Sequence, residues 1–138
     1  MSPAPTAAPW TVQALLTWTT GHLSRAGIEE PRLSAEVLLA HAAGWRRIDL
    51  YTRFDHVPES AQTDHFRELV RRAAQGEPIA YLVGYKEFFS LRLAVCPAVL
   101  IPRPETETLV EFAVENARAK CESRLELPGV NILDLCTG

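Results

Sequence analysis

The chain has 138 residues, which allows one domain, or one small domain with part of another. Its formal net charge of −3 argues against a nucleic-acid-binding protein, because phosphate contacts require clustered lysine and arginine. Its three cysteines are widely spaced and include no Cys-x-x-Cys pair, so they indicate neither a disulfide framework nor a zinc site.

The first nine residues are rich in proline and alanine, and we expect residues 1–9 to be a disordered tail. They lack the basic and apolar regions of a signal peptide. No apolar run approaches the ~20 residues of a membrane span. Together with the unpaired cysteines, these features favour a cytoplasmic protein.

Residues 10–77 are predicted to form a bundle of three to five helices. The first helix has one apolar face and a natural stop at Gly27. That face comprises Val12, Leu15, Leu16, Thr19 and Leu23. A second helix is predicted from about Leu33 to Ala43, with Gly44 after its last turn. Its inward residues are predicted to be Leu33, Val37, Leu38 and His41.

A short helix around Ile48 and Leu50 leads to a break, after which Pro58 opens a longer helix that ends at Gly76. The apolar stripe of this helix is Phe66, Leu69, Val70 and Ala73. Its charged residues indicate a solvated face, with a partner surface as the alternative. They are Arg67, Glu68, Arg71 and Arg72.

The histidines of the helical region give no catalytic grouping. His41 is interpreted as a packed residue at the edge of the core rather than as a ligand. His56 and His65 stand beside Asp55 and Asp64, in a loop and on an exposed helix turn, where solvated pairs are expected.

The pattern changes over residues 78–101, which are predicted to form a β-hairpin linker. Leu91, Leu93 and Val95 alternate with more polar or smaller residues, as in a half-buried strand. The simplest model is a hairpin that turns near Ser90.

The stretch “VLIPRPETETLVEF” then places one arginine between two prolines. Proline fixes its own φ near −65° and restricts the residue before it, so Arg103 is expected on a stiff, extended segment. Pro104 suits the first turn of a helix, where Glu105 and Glu107 complement the helix dipole. This helix is predicted to run to about Lys120. An ordinary strand-to-helix connection is the alternative interpretation of the segment.

The chain finishes in “VNILDLCTG”. Val130, Ile132, Leu133 and Leu135 predict a short strand of the kind buried in a parallel sheet. A strand that leads into Asp-x-x-Thr-Gly is similar to the opening of a nucleotide or nucleoside loop, where small residues let backbone N–H groups approach a ligand.

The order of these segments closely resembles the family of glutamine methyltransferases that modify peptide chain release factors, called HemK or PrmC. A helical bundle is followed by “GEPIAYLVGYKEFFSL”, “VLIPRPETETLVE” and “ILDLCTG”. The resemblance implies a mainly α N-terminal helical bundle for substrate recognition, a β-hairpin connection, and the start of a Rossmann-like α/β class I methyltransferase domain over residues 102–138. It also implies methyl transfer from S-adenosylmethionine to the side-chain amide of glutamine in a Gly-Gly-Gln loop.

By that resemblance, Arg103 and Thr106 are the expected polar contacts to the methionine end of S-adenosylmethionine. The first cofactor loop would comprise Asp134, Leu135, Cys136, Thr137 and Gly138. The family usually has Asp-Leu-Gly-Thr-Gly here, so Cys136 occupies a glycine position and cannot relax φ as glycine does. The substrate-binding Asn-Pro-Pro-Tyr motif is expected beyond Gly138, and we therefore expect no catalytic residue, and no metal ligand, within the chain.

We expect the chain to be part of a longer monomeric enzyme whose partner is a peptide chain release factor. On its own it should be inactive. Two other classes stay open: a non-catalytic helical module that binds a protein, and a methyltransferase for another planar nitrogen, such as the exocyclic amine of a nucleic-acid base. The negative net charge argues against a methyltransferase that acts on a nucleic-acid base.

Overall fold

The computed structural model describes residues 9–122 and 131–135. It is mainly helical, with one short antiparallel sheet of two strands in the described part. The chain divides into two compact units, one ending at Val83 and the other beginning at Gly84.

The first unit contains five helices in its described residues, 9–83. They are α1 (Val12–Arg25), α2 (Pro31–Ala43), α3 (Arg47–Thr52), α4 (Ser60–Ala74) and α5 (Ile79–Val83). The predicted bundle is present, and it extends to Val83 rather than to residue 77. The sequence prediction did not include α5, because five residues are too few to show a helical repeat.

The start of α1 is stabilised by side-chain and backbone acceptors. Thr11 is the N-cap, and its Oγ1 accepts a hydrogen bond from the Ala14 N–H at 3.2 Å. The Val12 N–H donates to the His56 carbonyl at 2.9 Å, and the Gln13 N–H to that of Phe54 at 3.1 Å. The segment after α3 therefore satisfies N–H groups that have no partner within α1.

The core of the unit lies where α1 and α4 pack on α2. All five predicted apolar-face residues of α1 are buried, as are all four of the predicted α4 stripe. Gln62 joins the start of α4 to the end of α2, because its Nε2 donates to the Ala43 carbonyl at 3.0 Å. The predicted stop of α2 is confirmed, with Gly44 at φ 70° as a left-handed C-cap.

The buried face of α2 differs from the prediction. Leu38 is fully buried, but Leu33 and Val37 are half-buried and His41 is exposed. The buried residues instead include Ser34, Ala35, Glu36, Leu39, Ala40 and Ala43. Because α2 packs against four other helices, more than one stripe of it is covered, and a single-stripe pattern does not describe it.

The second unit contains β1 (Tyr85–Phe88), β2 (Leu91–Ala94) and α6 (Pro104–Glu122). The strands pair antiparallel, with Phe88 opposite Leu91 and Tyr85 opposite Ala94. Phe89 and Ser90 form the two-residue turn at φ 48° and 61°, which confirms the turn predicted near Ser90.

Two predicted features of the second unit are not seen in full in the described residues. All four residues of β2 are exposed, including Leu91 at 61%, so β2 itself is not half-buried, whereas Val95, directly after it, is buried as predicted. Residues 131–135 form no strand, and Ile132, Leu133 and Leu135 are each at least 70% exposed. A strand needs a neighbour for its backbone groups and a layer to cover its apolar side chains, and the described residues supply neither here.

Candidate functional site

The candidate site begins where the proline-flanked arginine meets α6. Pro104 is the first residue of α6, and the Arg103 carbonyl accepts a hydrogen bond from the Thr106 N–H at 3.1 Å. The two prolines fix the backbone on each side of Arg103, so the arginine is held at the N-terminus of the helix. The structure thus places Arg103 and Thr106 in one helical turn.

The side chain of Arg103 is available to a ligand. Arg103 is exposed, and its guanidinium has no hydrogen bond or ion pair with any described residue. Thr106 is also exposed. A guanidinium, a hydroxyl and the N–H groups of a helix N-terminus are all suited to a carboxylate. This donor set would suit the carboxylate of the cofactor that the family resemblance implies.

Glu107 connects this helical turn to the β-hairpin. Its Oε1 accepts a hydrogen bond from the Phe89 N–H at 3.0 Å. Phe89 lies at positive φ, a conformation uncommon in residues other than glycine. The sequence indicated Glu107 only as a complement to the helix dipole; its spacing of 18 residues from Phe89 gave no signal of this contact.

The hairpin also has a cation–π contact across its strands. The guanidinium of Arg92 lies 4.0 Å from the ring centroid of Tyr85. These residues are diagonal neighbours, since Tyr85 is opposite Ala94 and Arg92 is opposite Glu87. Arg92 therefore stabilises the hairpin.

The structure describes only two residues of the predicted cofactor loop. Asp134 and Leu135 lie in the segment without regular structure and are exposed. Cys136, Thr137 and Gly138 lie outside the described residues. Ile132 faces α6 across an open cavity of about 420 Å³, with Val110, Val114 and Ala117 on the helix side.

The apolar face of α6 is uncovered in the described part of the chain. None of its 19 residues is buried, and Leu109 and Phe112 are each 65% exposed. A helix face that carries large apolar side chains is normally packed against another element.

The histidines of the helical unit form no catalytic arrangement with the described residues. His41 and His65 face each other from α2 and α4, with ring centroids 5.9 Å apart. The pKa of His41 is lowered below its ordinary value, mainly because the ring is partly desolvated and to a smaller extent because of the neighbouring His65. His56 contacts the ring of Trp45 at 5.3 Å.

Neither a metal-binding cluster nor a membrane-spanning helix is found among the described residues. No group of three or more acidic, histidine or cysteine side chains there is arranged to hold a metal ion. No helix in residues 9–122 or 131–135 is both long enough and apolar enough to cross a membrane. Cys96 and Cys121 are free and exposed.

Comparison with known proteins gives one consistent result. Residues 14–84 match the family model described as the PrmC N-terminal domain. A protein of Rhodopirellula baltica named release factor glutamine methyltransferase is 52% identical over 130 residues, or 94% of this chain and 43% of that protein. A protein of the same name from Nitratidesulfovibrio vulgaris is 50% identical over 119 residues, or 86% of this chain and 40% of that protein. The chain thus spans about two fifths of the length of the curated relatives it matches.

Proposed function

The chain belongs to the PrmC family, as its N-terminal domain shows, and we propose that the complete protein methylates the side-chain amide of the glutamine in the Gly-Gly-Gln loop of a peptide chain release factor. The observation that carries this proposal is the extent of the similarity. It continues past the helical unit and includes the segment from Pro102 to Glu107, because 94% of the chain is matched.

The second unit is proposed as the start of the Rossmann-like class I methyltransferase domain. The exposed apolar face of α6 supports this, since a helix of that domain packs against a central sheet. The residues that follow the chain in a protein of the relatives' length would supply the remaining strands. Residues 131–135 would then pair as a strand.

S-adenosylmethionine supplies an electrophilic methyl group bound to a sulfonium. In our proposal, Arg103 binds the carboxylate of its methionine part, Thr106 donates a hydrogen bond there, and the loop from Asp134 to Gly138 approaches the rest of the cofactor. Glu107 holds the hairpin turn against the same helix. These residues orient the methyl group, and most of the rate enhancement comes from orientation and preorganised polar groups.

The helical unit over residues 10–77, extended by α5, is proposed to recognise the substrate, and residues 78–101 to connect it to the methyltransferase domain. The partner is the release factor, and we propose a monomer that acts in the cytoplasm, where translation termination takes place. The free thiols of Cys96 and Cys121 are in keeping with a reducing compartment.

The proposal is tested by methyl transfer. The complete protein is incubated with methyl-labelled S-adenosylmethionine and a release factor, and the modified residue is located by mass spectrometry. We expect one methyl group on the glutamine of the Gly-Gly-Gln loop, and no transfer when that glutamine is replaced by alanine. Label on another residue, or on nucleic acid added in place of the release factor, would contradict the proposal.

A further inference from the structure

A groove lies between α1 and α4, wholly within the helical unit. Its volume is about 330 Å³. The apolar part of its wall includes Trp10, Trp18, Phe66 and Val70. None of the residues proposed to bind the cofactor contributes to it, so the groove is a separate feature of the molecule.

Two tryptophans at this groove are exposed. Trp10 is 44% exposed and Trp18 is 51% exposed. The ring of Trp18 stacks on that of His22 with centroids 4.9 Å apart, and Trp10 meets Trp18 edge to face at 6.4 Å. These contacts fix the orientation of Trp18 in the free protein. A large, pre-oriented and exposed tryptophan is typical of residues that dominate protein–protein binding.

The charges at the groove have one sign. The titratable residues that line it are His22, Arg67 and Arg71, all basic, although the chain as a whole carries a formal charge of −3. Arg71 is held by Glu68 at 2.6 Å, whereas Arg67 meets Asp64 only at 3.4 Å and its side chain is 59% exposed. Arg67 can therefore turn to a carboxylate of a partner at little cost.

Thr19 also lines the groove, but its hydroxyl oxygen is buried. It is 1% exposed, and its Oγ1 has no hydrogen-bond partner among the described residues. Its neighbours Thr17 and Thr20 each donate to the carbonyl four residues earlier, at 2.8 and 2.7 Å. Buried hydroxyl groups are usually paired, but this oxygen is closed to solvent, so the groove offers a partner its apolar wall and not this hydroxyl.

We propose that this groove binds an apolar side chain flanked by carboxylates on the surface of the release factor. The inference rests on the proposed function and deepens it. The contact is distinct from the Gly-Gly-Gln loop, because that loop has to reach the cofactor. The basic rim favours acidic flanks, and the apolar wall favours an aliphatic or aromatic anchor.

A nucleic acid fits the groove less well. Aromatic and arginine side chains also bind single strands, but a phosphate backbone needs several free cations. Here Arg71 donates from Nε and Nη2 to Glu68 and from Nη1 to Gln75, which leaves Arg67 as the groove arginine that can turn to an anion. One such arginine suits a carboxylate beside an apolar anchor better than a row of phosphates.

The test is a comparison of two substrates in the complete enzyme. One is the whole release factor, and the other is a short peptide that contains only the Gly-Gly-Gln loop. Trp18→Ala and Arg67→Glu should each raise KM for the release factor about tenfold and leave its kcat unchanged. Neither should change kcat/KM for the peptide. KM for the release factor, but not for the peptide, should also rise with salt.

Ile48→Ala and Arg25→Glu are matched controls, since Ile48 is exposed on α3, Arg25 is exposed at the end of α1, and neither lines the groove. Both controls should behave as wild type, and all four variants should keep the wild-type melting temperature. An unchanged KM in both groove variants would overturn the inference while the methyltransferase proposal stands. Loss of a dimer in Trp18→Ala, measured by sedimentation and without a change in KM, would assign the groove to a second copy of the chain and overturn it too.

If the wild-type enzyme methylates neither substrate, the proposed function fails, and calorimetry then decides the groove. Binding of the release factor to the 138-residue chain that weakens about tenfold in Trp18→Ala would support the inference. Absence of binding would overturn it.

Discussion

The Phe89 N–H donates a hydrogen bond to Oε1 of Glu107 at 3.0 Å, which ties the turn of the hairpin to the first turn of α6. Phe89 and Ser90 both lie at positive φ, where residues other than glycine are strained. The contact with Glu107 stabilises this turn. It also links the hairpin to the helical turn that carries Arg103 and Thr106.

We predict that Glu107→Ala loosens the hairpin turn. A single hydrogen bond of this kind contributes about 0.5–1.5 kcal/mol, so exchange of the Phe89 amide proton should accelerate about two- to tenfold. Glu105→Ala is the control. Glu105 lies in the same turn of α6, and its side chain makes no hydrogen bond to the hairpin. Equal exchange rates in the two variants, measured by NMR, would show that the contact is not maintained in solution.

A second prediction concerns the buried carboxylate of Glu36. Glu36 is 4% exposed. Its carboxylate accepts hydrogen bonds from Arg32 Nε at 2.7 Å and from Tyr51 Oη at 2.9 Å. Arg47 Nε lies 3.6 Å from its other oxygen. The hydrogen bond to Glu36 also raises the pKa of Tyr51 above its ordinary value. The carboxylate thus holds α3 against α2.

We expect Glu36→Ala to lower the free energy of unfolding by about 1–3 kcal/mol, because it removes the charge-assisted hydrogen bonds through which a buried carboxylate joins α2 to α3. Glu29→Ala, in the exposed loop before α2, should have little effect. Denaturant unfolding followed by circular dichroism measures both. A stability of Glu36→Ala equal to that of the control would mean that water replaces the carboxylate at no cost.

A third prediction is a loss of stability in mild acid. The pKa of His41 in the folded protein is lowered from its ordinary value of 6.5, first by burial and then by the neighbouring His65. The unfolded chain therefore binds more protons than the folded one as the pH falls below about 6.5, and the free energy of unfolding decreases with it. His41 is exposed for much of its surface, so we expect a modest effect.

His41→Gln should reduce the fall in the urea midpoint between pH 7.5 and pH 5.5. His22→Gln is the control, since His22 lies on α1 and faces Trp18 rather than another histidine. If both variants keep the wild-type pH dependence, His41 is not its source.

A fourth prediction concerns the boundary of the helical unit. Leu82 and Val83 of α5 are each 8% exposed, and α5 packs against α2 and α4. We expect residues 9–84 to unfold cooperatively on heating. A fragment that ends at residue 76 should be less stable, because burial of each such side chain contributes about 1.5–3 kcal/mol. Equal melting temperatures for the two fragments would show that α5 is not part of the folding unit.

The sequence was most informative where a helix buries one periodic stripe. All the predicted stripe residues of α1 and α4 are buried, and of the buried residues of these two helices only Thr63 was not predicted. For α2 the same reasoning was wrong at Leu33, Val37 and His41, because the number of packed neighbours is not encoded in local periodicity. The Glu36 cluster was not predicted for the same reason.

Only the proline-flanked segment of the candidate site, at the start of α6, could be predicted from the sequence. Proline and the helix start signals predicted that a helix begins at Pro104, directly after Arg103, and the structure confirms this start, since both signals act through local backbone geometry. The predicted strand at Ile132 depends on partners that the described residues do not include, and its loop lies largely outside them. Those site assignments remain predictions.

The central claim is that Arg103 holds the carboxylate of S-adenosylmethionine, and calorimetric titration of the complete protein tests it most directly. Loss of a charge-assisted contact of about 1.5–3 kcal/mol predicts that Arg103→Ala weakens cofactor binding about ten- to a hundredfold. Arg118→Ala, an exposed arginine further along α6, should bind as wild type, and both variants should keep the wild-type melting temperature. Unchanged affinity in a folded Arg103→Ala protein would contradict the claim.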